Sequence, residues 1–364
     1  MSSSAISAGL ITVWTFTSLA RAVNCLPFFK MRRVAGLVLL LMSGACGPPA
    51  ASAQSARRRT NATTAVIATP GALAERLRRL LDEPPFDRAL WGVAIMDPSG
   101  RLVFERNGDR LFVPASNIKL VVSAAATALL PPDFRFRTSV YGTGVVQDSV
   151  LSGDLVLYGR GDPSLSNRFY PDRLSAFALL ADSLRARGLR RVAGDLVGDA
   201  SYFDSTTVHP SWESYDLSWW YAAPVSALAF NDNSVDFRIS PTIPGAPPVI
   251  TFEPDLGLVR FTNAARTVPV DSPRTMDFRR LPGTNVIRAD GDVPADARPW
   301  SENVSVHDGA AWATAAFRRA LEHAGITVSG LTRTTYDPGA TAPARASAAL
   351  AELWSPPLHD LIEP

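Results

Sequence analysis

The chain has 364 residues, 46% of them hydrophobic and 19% charged, which is a globular balance and not a disordered one. Its net charge of +2 gives no polyanion-binding signature, so nucleic acid is not an expected partner. The only two cysteines are Cys25 and Cys46, both near the N-terminus, so a disulfide framework or thiolate metal site further on is excluded.

From Met31 the sequence reads MRRVAGLVLLLMSGACGPPAASAQSA. Arg32 and Arg33 precede a nine-residue apolar run, Val34 to Met42, and Ala51-Ser52-Ala53 supplies an A-x-A cleavage site. Residues 1–53 are therefore expected to be a signal region, with the true start at Met31 and cleavage after Ala53. The run is too short to cross a bilayer, so no membrane-spanning segment is expected. The chain is expected to be exported, to the periplasm or cell envelope. A second reading makes Cys46 a lipid anchor, but Ser43 stands where a large aliphatic residue is usual. Residues 54–70 read as a polar linker, with Arg57-Arg58-Arg59 a solvated charge run.

Apolar residues at helical spacing (Leu73, Leu77, Leu80, Leu81) predict a helix over 71–81. LWGVAIMD and RLVFERN, around Pro98-Ser99-Gly100, predict a β-hairpin. Pro114 and Ser116 signal a helix start, the run to Leu130 favours helix, and Pro131-Pro132 ends it. From Phe134 the texture turns to β. Asp172 to Arg187 reads as an amphipathic helix with Leu174, Phe177, Ala181 and Leu184 inward. The region 202–300 is rich in Pro, Gly and Trp with short β-like runs. Gly309 to Ile326 predicts a second clear helix, with Ala313, Phe317, Ala320 and Ala324 inward. The fold class expected is α+β.

Of 36 basic residues only Lys30 and Lys119 are lysines, and a chain cut after Ala53 keeps Lys119 alone. Ser116 lies three residues before it, on the same face of the predicted helix. A neutral lysine can take the proton of a serine hydroxyl, whereas a guanidinium stays charged. A lysine becomes neutral when burial or a nearby cation lowers its pKa. The helix N-terminus adds N–H groups suited to a developing oxyanion. The plainer alternative is that Ser116 caps the helix and Lys119 is a solvated surface residue. The apolar run LVVSAAATALL, which should bury the helix, weighs against it. S-x-x-K alone is a weak motif.

His209, His307, His323 and His359 show no metal-ligand spacing, and no metal or cofactor is expected. FNDNSVDF, from Phe230 to Phe237, reads as a turn sooner than a calcium loop, because the loop's later glutamate is missing.

Six ordered blocks resemble one family: PASNIKLVVSAAATALLPPDFRFRTSVYGTG, LSGDLVLYGRGDPSLS, VAGDLVGDASYFD, YAAPVSALAFNDNSVDF, VHDGAAWATAAFRRALEHAGITVSG and SPPLHDLIEP. They are similar to the class C low-molecular-mass penicillin-binding proteins, D-alanyl-D-alanine carboxypeptidase/endopeptidases of the bacterial envelope. The resemblance implies a β-lactamase/transpeptidase-like serine domain interrupted by β-rich inserted domains. On that basis 71–133 and 302–364 are expected to be parts of the split catalytic domain, and 134–301 the insertion. It implies Ser116 as the acylated nucleophile and Lys119 as its base. It implies peptidoglycan stem peptides as substrate and β-lactams as inhibitors. Asp162, in GRGDPSL, resembles a position near the site entrance where a carboxylate attracts the amino end of a diaminopimelate side chain. Its other reading is a turn-forming aspartate before Pro163.

The family also uses S-x-N and K-[ST]-G. Ser301-Glu302-Asn303 fits the first pattern but lies well upstream of the expected place, and no lysine follows Lys119. The expectation is that the C-terminal part of the catalytic domain is missing and that these 364 residues alone have little activity. Two rival functions remain: a non-catalytic envelope binding or scaffold protein, and a β-lactamase or esterase of the same fold.

Overall fold

The computed structural model describes residues 70–362. The expected signal region, Cys46 and the arginine run lie outside the described residues. No helix among the described residues is long and apolar enough to cross a membrane. The described residues form two compact units, one ending at Ala125 and the other beginning at Ala126.

In the first unit a helix spans Pro70–Asp82. Its Ala74 and Leu81 form a small core with Phe104, and Leu77, Trp91, Val93 and Ile95 pack against it. The inward face therefore follows Ala74, Leu77 and Leu81, while Leu73 and Leu80 of the expected stripe are exposed. The predicted hairpin is present: Val93–Met96 pairs antiparallel with Leu102–Arg106. Asp97 closes its turn. Its Oδ1 accepts from the N–H of Ser99 at 2.9 Å and of Arg101 at 3.0 Å. Gly100 takes φ +82°, a conformation that favours glycine. The Ser99 hydroxyl, then the Arg101 backbone N–H, lower the Asp97 carboxyl from 3.8 to about 2. A depressed value means the turn's contribution is whole above the unfolded carboxyl's pKa and fades as pH falls toward 2. An NMR titration of Asp97 should place its midpoint near 2, and a midpoint near 3.8 would contradict these hydrogen bonds.

The second unit is built on a five-stranded sheet in the order Thr332–Thr335, Leu196–Asp199, Leu155–Tyr158, Arg137–Gly142, Ala351–Trp354. The first three strands run parallel, and the last two pair antiparallel to their neighbours. Two crossover helices, Ser175–Ala186 and Gly309–His323, connect the parallel strands. Alternation sends Val140, Leu155 and Leu157 into the core with these helices, and Tyr141, Val156 and Tyr158 to the opposite face. Phe177 and Phe317 meet at 5.7 Å between the helices, both fully buried. Each contributes about 1.5–3 kcal/mol through burial. Asp308 caps the second helix by accepting from the Ala311 N–H.

Smaller sheets complete the unit. Ser234–Ser240 sits between Val249–Glu253 and Trp300–Ser305, and Val286–Asp290 sits between Arg260–Asn263 and Asp277–Arg280. Phe237, Phe252, Phe261 and Phe278 pack where they meet. The first half of FNDNSVDF is a turn, Asn231–Asn233, as expected, and its second half begins the strand Ser234–Ser240. Asn231, Asp232 and Asn233 all take positive φ, which Asn and Asp tolerate best. Buried Asn233 donates to the Pro224 carbonyl and accepts from the Phe230 N–H.

The expected domain division at 301/302 does not coincide with a break in packing. The strand Trp300–Ser305 runs through it, and Gly309–His323, Thr332–Thr335 and Ala351–Trp354 join the sheet and core of the expected insertion. Periodicity shows that a helix buries one face, but not which sheet it covers.

Candidate active site

Ser116 lies in the 3-10 turn Ala115–Asn117, which runs directly into the helix Ile118–Leu129. Lys119 Nζ donates to Ser116 Oγ at 3.3 Å. The structure thus brings together the two residues paired in the sequence. Both are exposed.

The residue before Ser116 departs from ordinary backbone geometry. Ala115 has φ +44°. Every other described non-glycine residue with positive φ is Asn, Asp or Ser, whose side chains can bond locally. Alanine has no such compensation, and strain of this kind gathers at functional sites. No sequence pattern signals it.

The helix forms where expected, but its expected burial does not. None of the residues of Ile118–Leu129 is buried, and Leu120, Val122 and Leu129 are 63%, 60% and 81% exposed. Leu and Ala content suffices to form a helix locally, whereas burial needs a facing surface. The described residues do not supply one.

Ser301, Glu302 and Asn303 are committed to sheet contacts. Asn303 donates to Asp236 at 2.6 Å, and Glu302 accepts from the Trp300 indole at 3.0 Å. This agrees with reading them as a chance match.

Asp162 is 1% exposed. Its Oδ1 accepts from the Ser164 N–H at 2.9 Å and hydroxyl at 2.7 Å, which is an Asx turn. Its Oδ2 is buried with no hydrogen-bond partner. Burial pushes this carboxyl above its ordinary value, against the Ser164 bonds. The geometry is that of the turn-forming reading, since an enclosed carboxylate is poorly placed to meet an ammonium arriving from solvent.

A different carboxylate has the exposure that Asp162 lacks, and sequence reasoning missed it. Asp216 Oδ1 accepts from the Tyr221 hydroxyl at 3.1 Å, and the Tyr215 hydroxyl donates to Asp277 at 3.3 Å. Tyr215 stands edge-on to Trp219 at 6.1 Å, and Trp220 edge-on to Tyr221 at 6.2 Å. Tyr215, Trp220 and Tyr221 are about half exposed. Partial burial, then the hydrogen bond and charge of Asp216, raise the Tyr221 phenol, so it stays a donor at neutral pH. Among the described residues no ion pair engages Asp216 or Asp277. A carboxylate without a cation, set among aromatic rings, can hold an ammonium group. The sequence carries a hint in SYDLSWWY, but Asp277 is too distant in the chain to be added by eye.

A model of the D-Ala-D-Ala carboxypeptidase 3 (S13) family matches residues 73–364. A D-alanyl-D-alanine carboxypeptidase of Actinomadura sp. (strain R39) is 33% identical over 309 residues, which is 82% of this chain and 54% of that protein. The D-alanyl-D-alanine carboxypeptidase DacB of Haemophilus influenzae is 30% identical over 133 residues, 36% of this chain and 26% of that protein. This chain thus spans about half the length of the first relative and less of the second. In fold it is similar to the crystal structure of penicillin-binding protein 4 from H. influenzae, with a TM-score of 0.62 and 24% identity over 74% of this chain and 57% of that one. The same protein complexed with a β-lactam gives a TM-score of 0.57 at 22% identity, over 74% of this chain and 56% of that one. With Ser116 and Lys119 in contact at a helix start and the family match running over most of its length, the chain belongs to the D-Ala-D-Ala carboxypeptidase 3 (S13) family of low-molecular-mass class C penicillin-binding proteins.

Proposed function

We propose that the protein is a serine D,D-carboxypeptidase/endopeptidase acting on peptidoglycan stem peptides through an acyl-enzyme at Ser116. The observation that carries this reading is the contact between Lys119 Nζ and Ser116 Oγ. Lys119 in its neutral form takes the hydroxyl proton as Oγ attacks the carbonyl of the penultimate D-alanine. The C–N bond to the terminal D-alanine then breaks, and that amine leaves with a proton. Water next attacks the ester, releasing the shortened peptide and returning the proton to Oγ. A lysine surrendering its proton near neutral pH needs enclosure or a neighbouring cation. Lys119 is exposed here, so that enclosure must come from residues or substrate beyond its own helix. The K-[ST]-G element that the family resemblance implies has no counterpart in these 364 residues.

The amino end of the stem peptide's diamino acid is assigned to Asp216, with Tyr221 beside it, in place of Asp162. β-Lactams would acylate Ser116 by the same attack. Export through the signal at 31–53 would deliver the protein to this substrate.

The test is release of D-alanine from an N-acyl-D-Ala-D-Ala peptide by the natural protein. Ser116→Ala should reduce it to background. Release by that variant at the wild-type rate would refute the assignment.

A further inference from the structure

Arg280 is the least expected side chain in the fold. It ends the strand Asp277–Arg280, is 5% exposed, and forms no ion pair among the described residues. Burial lowers its guanidinium to about 10, so it remains charged at neutral pH. A buried cation without a carboxylate is costly, and apolar packing of similar volume is a common alternative.

All of its bonds converge on one segment and its supports. Nη2 donates to the Leu217 carbonyl, Nη1 to the Thr284 carbonyl at 3.0 Å, and Nε to Ser305 Oγ at 3.3 Å. Its backbone N–H donates to Ser218 Oγ at 3.0 Å. Ser305 Oγ also donates to the Leu217 carbonyl, and Trp219 bridges to Val304 on the same strand as Ser305. Leu217, Ser218 and Trp219 lie between Asp216 and Tyr221. The strand that ends in Arg280 begins with Asp277, the partner of Tyr215.

We propose that Arg280 is a positioning residue: from inside the β-rich part of the fold it clamps the 217–219 backbone, and thereby fixes the Asp216 carboxylate and the rings of Tyr221 and Trp220 in their exposed arrangement. This rests on the assignment of Asp216 as an ammonium receptor for its functional consequence, but not for the clamp itself. The charge is retained because three carbonyl and hydroxyl acceptors from three separate segments need one forked donor. An apolar side chain would leave the Leu217 carbonyl with one donor fewer.

Hydrogen exchange on the 364-residue chain tests the clamp directly. In Arg280→Met, the amides of 217–223 should exchange at least about tenfold faster, while the helices Ser175–Ala186 and Gly309–His323 keep their protection. Unchanged protection of 217–223 overturns the proposal. If that variant unfolds globally, Ser305→Ala replaces it, with a rise of several-fold expected in the same segment and no rise overturning the proposal. A second arm measures meso-diaminopimelate binding by the fluorescence of Trp219 and Trp220. Arg280→Met should weaken binding about tenfold, and Arg280→Lys should recover part of the loss. Wild-type affinity in a folded Arg280→Met protein also overturns the proposal. Equal binding by wild type and Asp216→Asn refutes the receptor assignment instead, and the exchange result then decides the clamp alone.

Discussion

Replacing Lys119 with arginine should slow acylation of Ser116 by about 10²–10⁴-fold. The substitution keeps the positive charge and a long apolar stem, so an electrostatic or packing role would survive it. What it removes is a nitrogen that can be neutral, because a guanidinium stays protonated at any relevant pH. The measurement is the single-turnover rate of covalent labelling by a fluorescent penicillin in the natural protein. A variant rate within about threefold of wild type would mean that Lys119 acts only as a charge. Lys119 is exposed and its helix has no buried residue, so little loss of stability is expected. A slower rate can then be read as chemistry.

The second large effect concerns stability. Gly198→Val should destabilise the fold by about 3 kcal/mol. Gly198 is buried on Leu196–Asp199, between its two parallel neighbours. A Cβ there would run into the Thr314 hydroxyl, and Leu228 stands 3.3 Å away. Thr314 cannot easily yield, because its hydroxyl is buried and bonded to the Ala310 carbonyl one turn back. The helix Gly309–His323 must therefore lift from the sheet, or the side chain must take a strained rotamer. Denaturant unfolding with the slope unchanged would read the loss as a shifted midpoint. A midpoint equal to wild type would mean that the helix seats less closely on the strand than the structure shows.

Local features were legible in the sequence. The helices expected at 71–81, 172–187 and 309–326 appear as Pro70–Asp82, Ser175–Ala186 and Gly309–His323, since periodicity and caps are properties of neighbouring residues. The hairpin around Pro98-Ser99-Gly100 and the turn at Asn231 to Asn233 were legible for the same reason, although the positive φ of the turn was not. So was the Ser116–Lys119 pair, because three residues on a helical start fix a short distance.

Features that depend on distant residues were not legible. The pairing of Thr332–Thr335 with Leu196–Asp199 joins segments more than a hundred residues apart, so no local pattern shows that part of 302–364 pairs with the sheet before it. Asp162 and Asp216 sit in similar polar, turn-rich sequence, and only the fold buries the first and leaves the second half-buried. Arg280 is one arginine among many until the Leu217 and Thr284 carbonyls are seen around it. The left-handed backbone at Ala115 leaves no trace in residue type.

The central claim is that Ser116 Oγ, activated by the lysine beside it, is the atom that becomes acylated. Mass spectrometry of the natural protein after incubation with penicillin tests this most directly. One adduct of the antibiotic's mass should appear, on the peptide containing Ser116, and it should vanish in Ser116→Ala. An adduct on another residue, or one that persists in that variant, would contradict the claim.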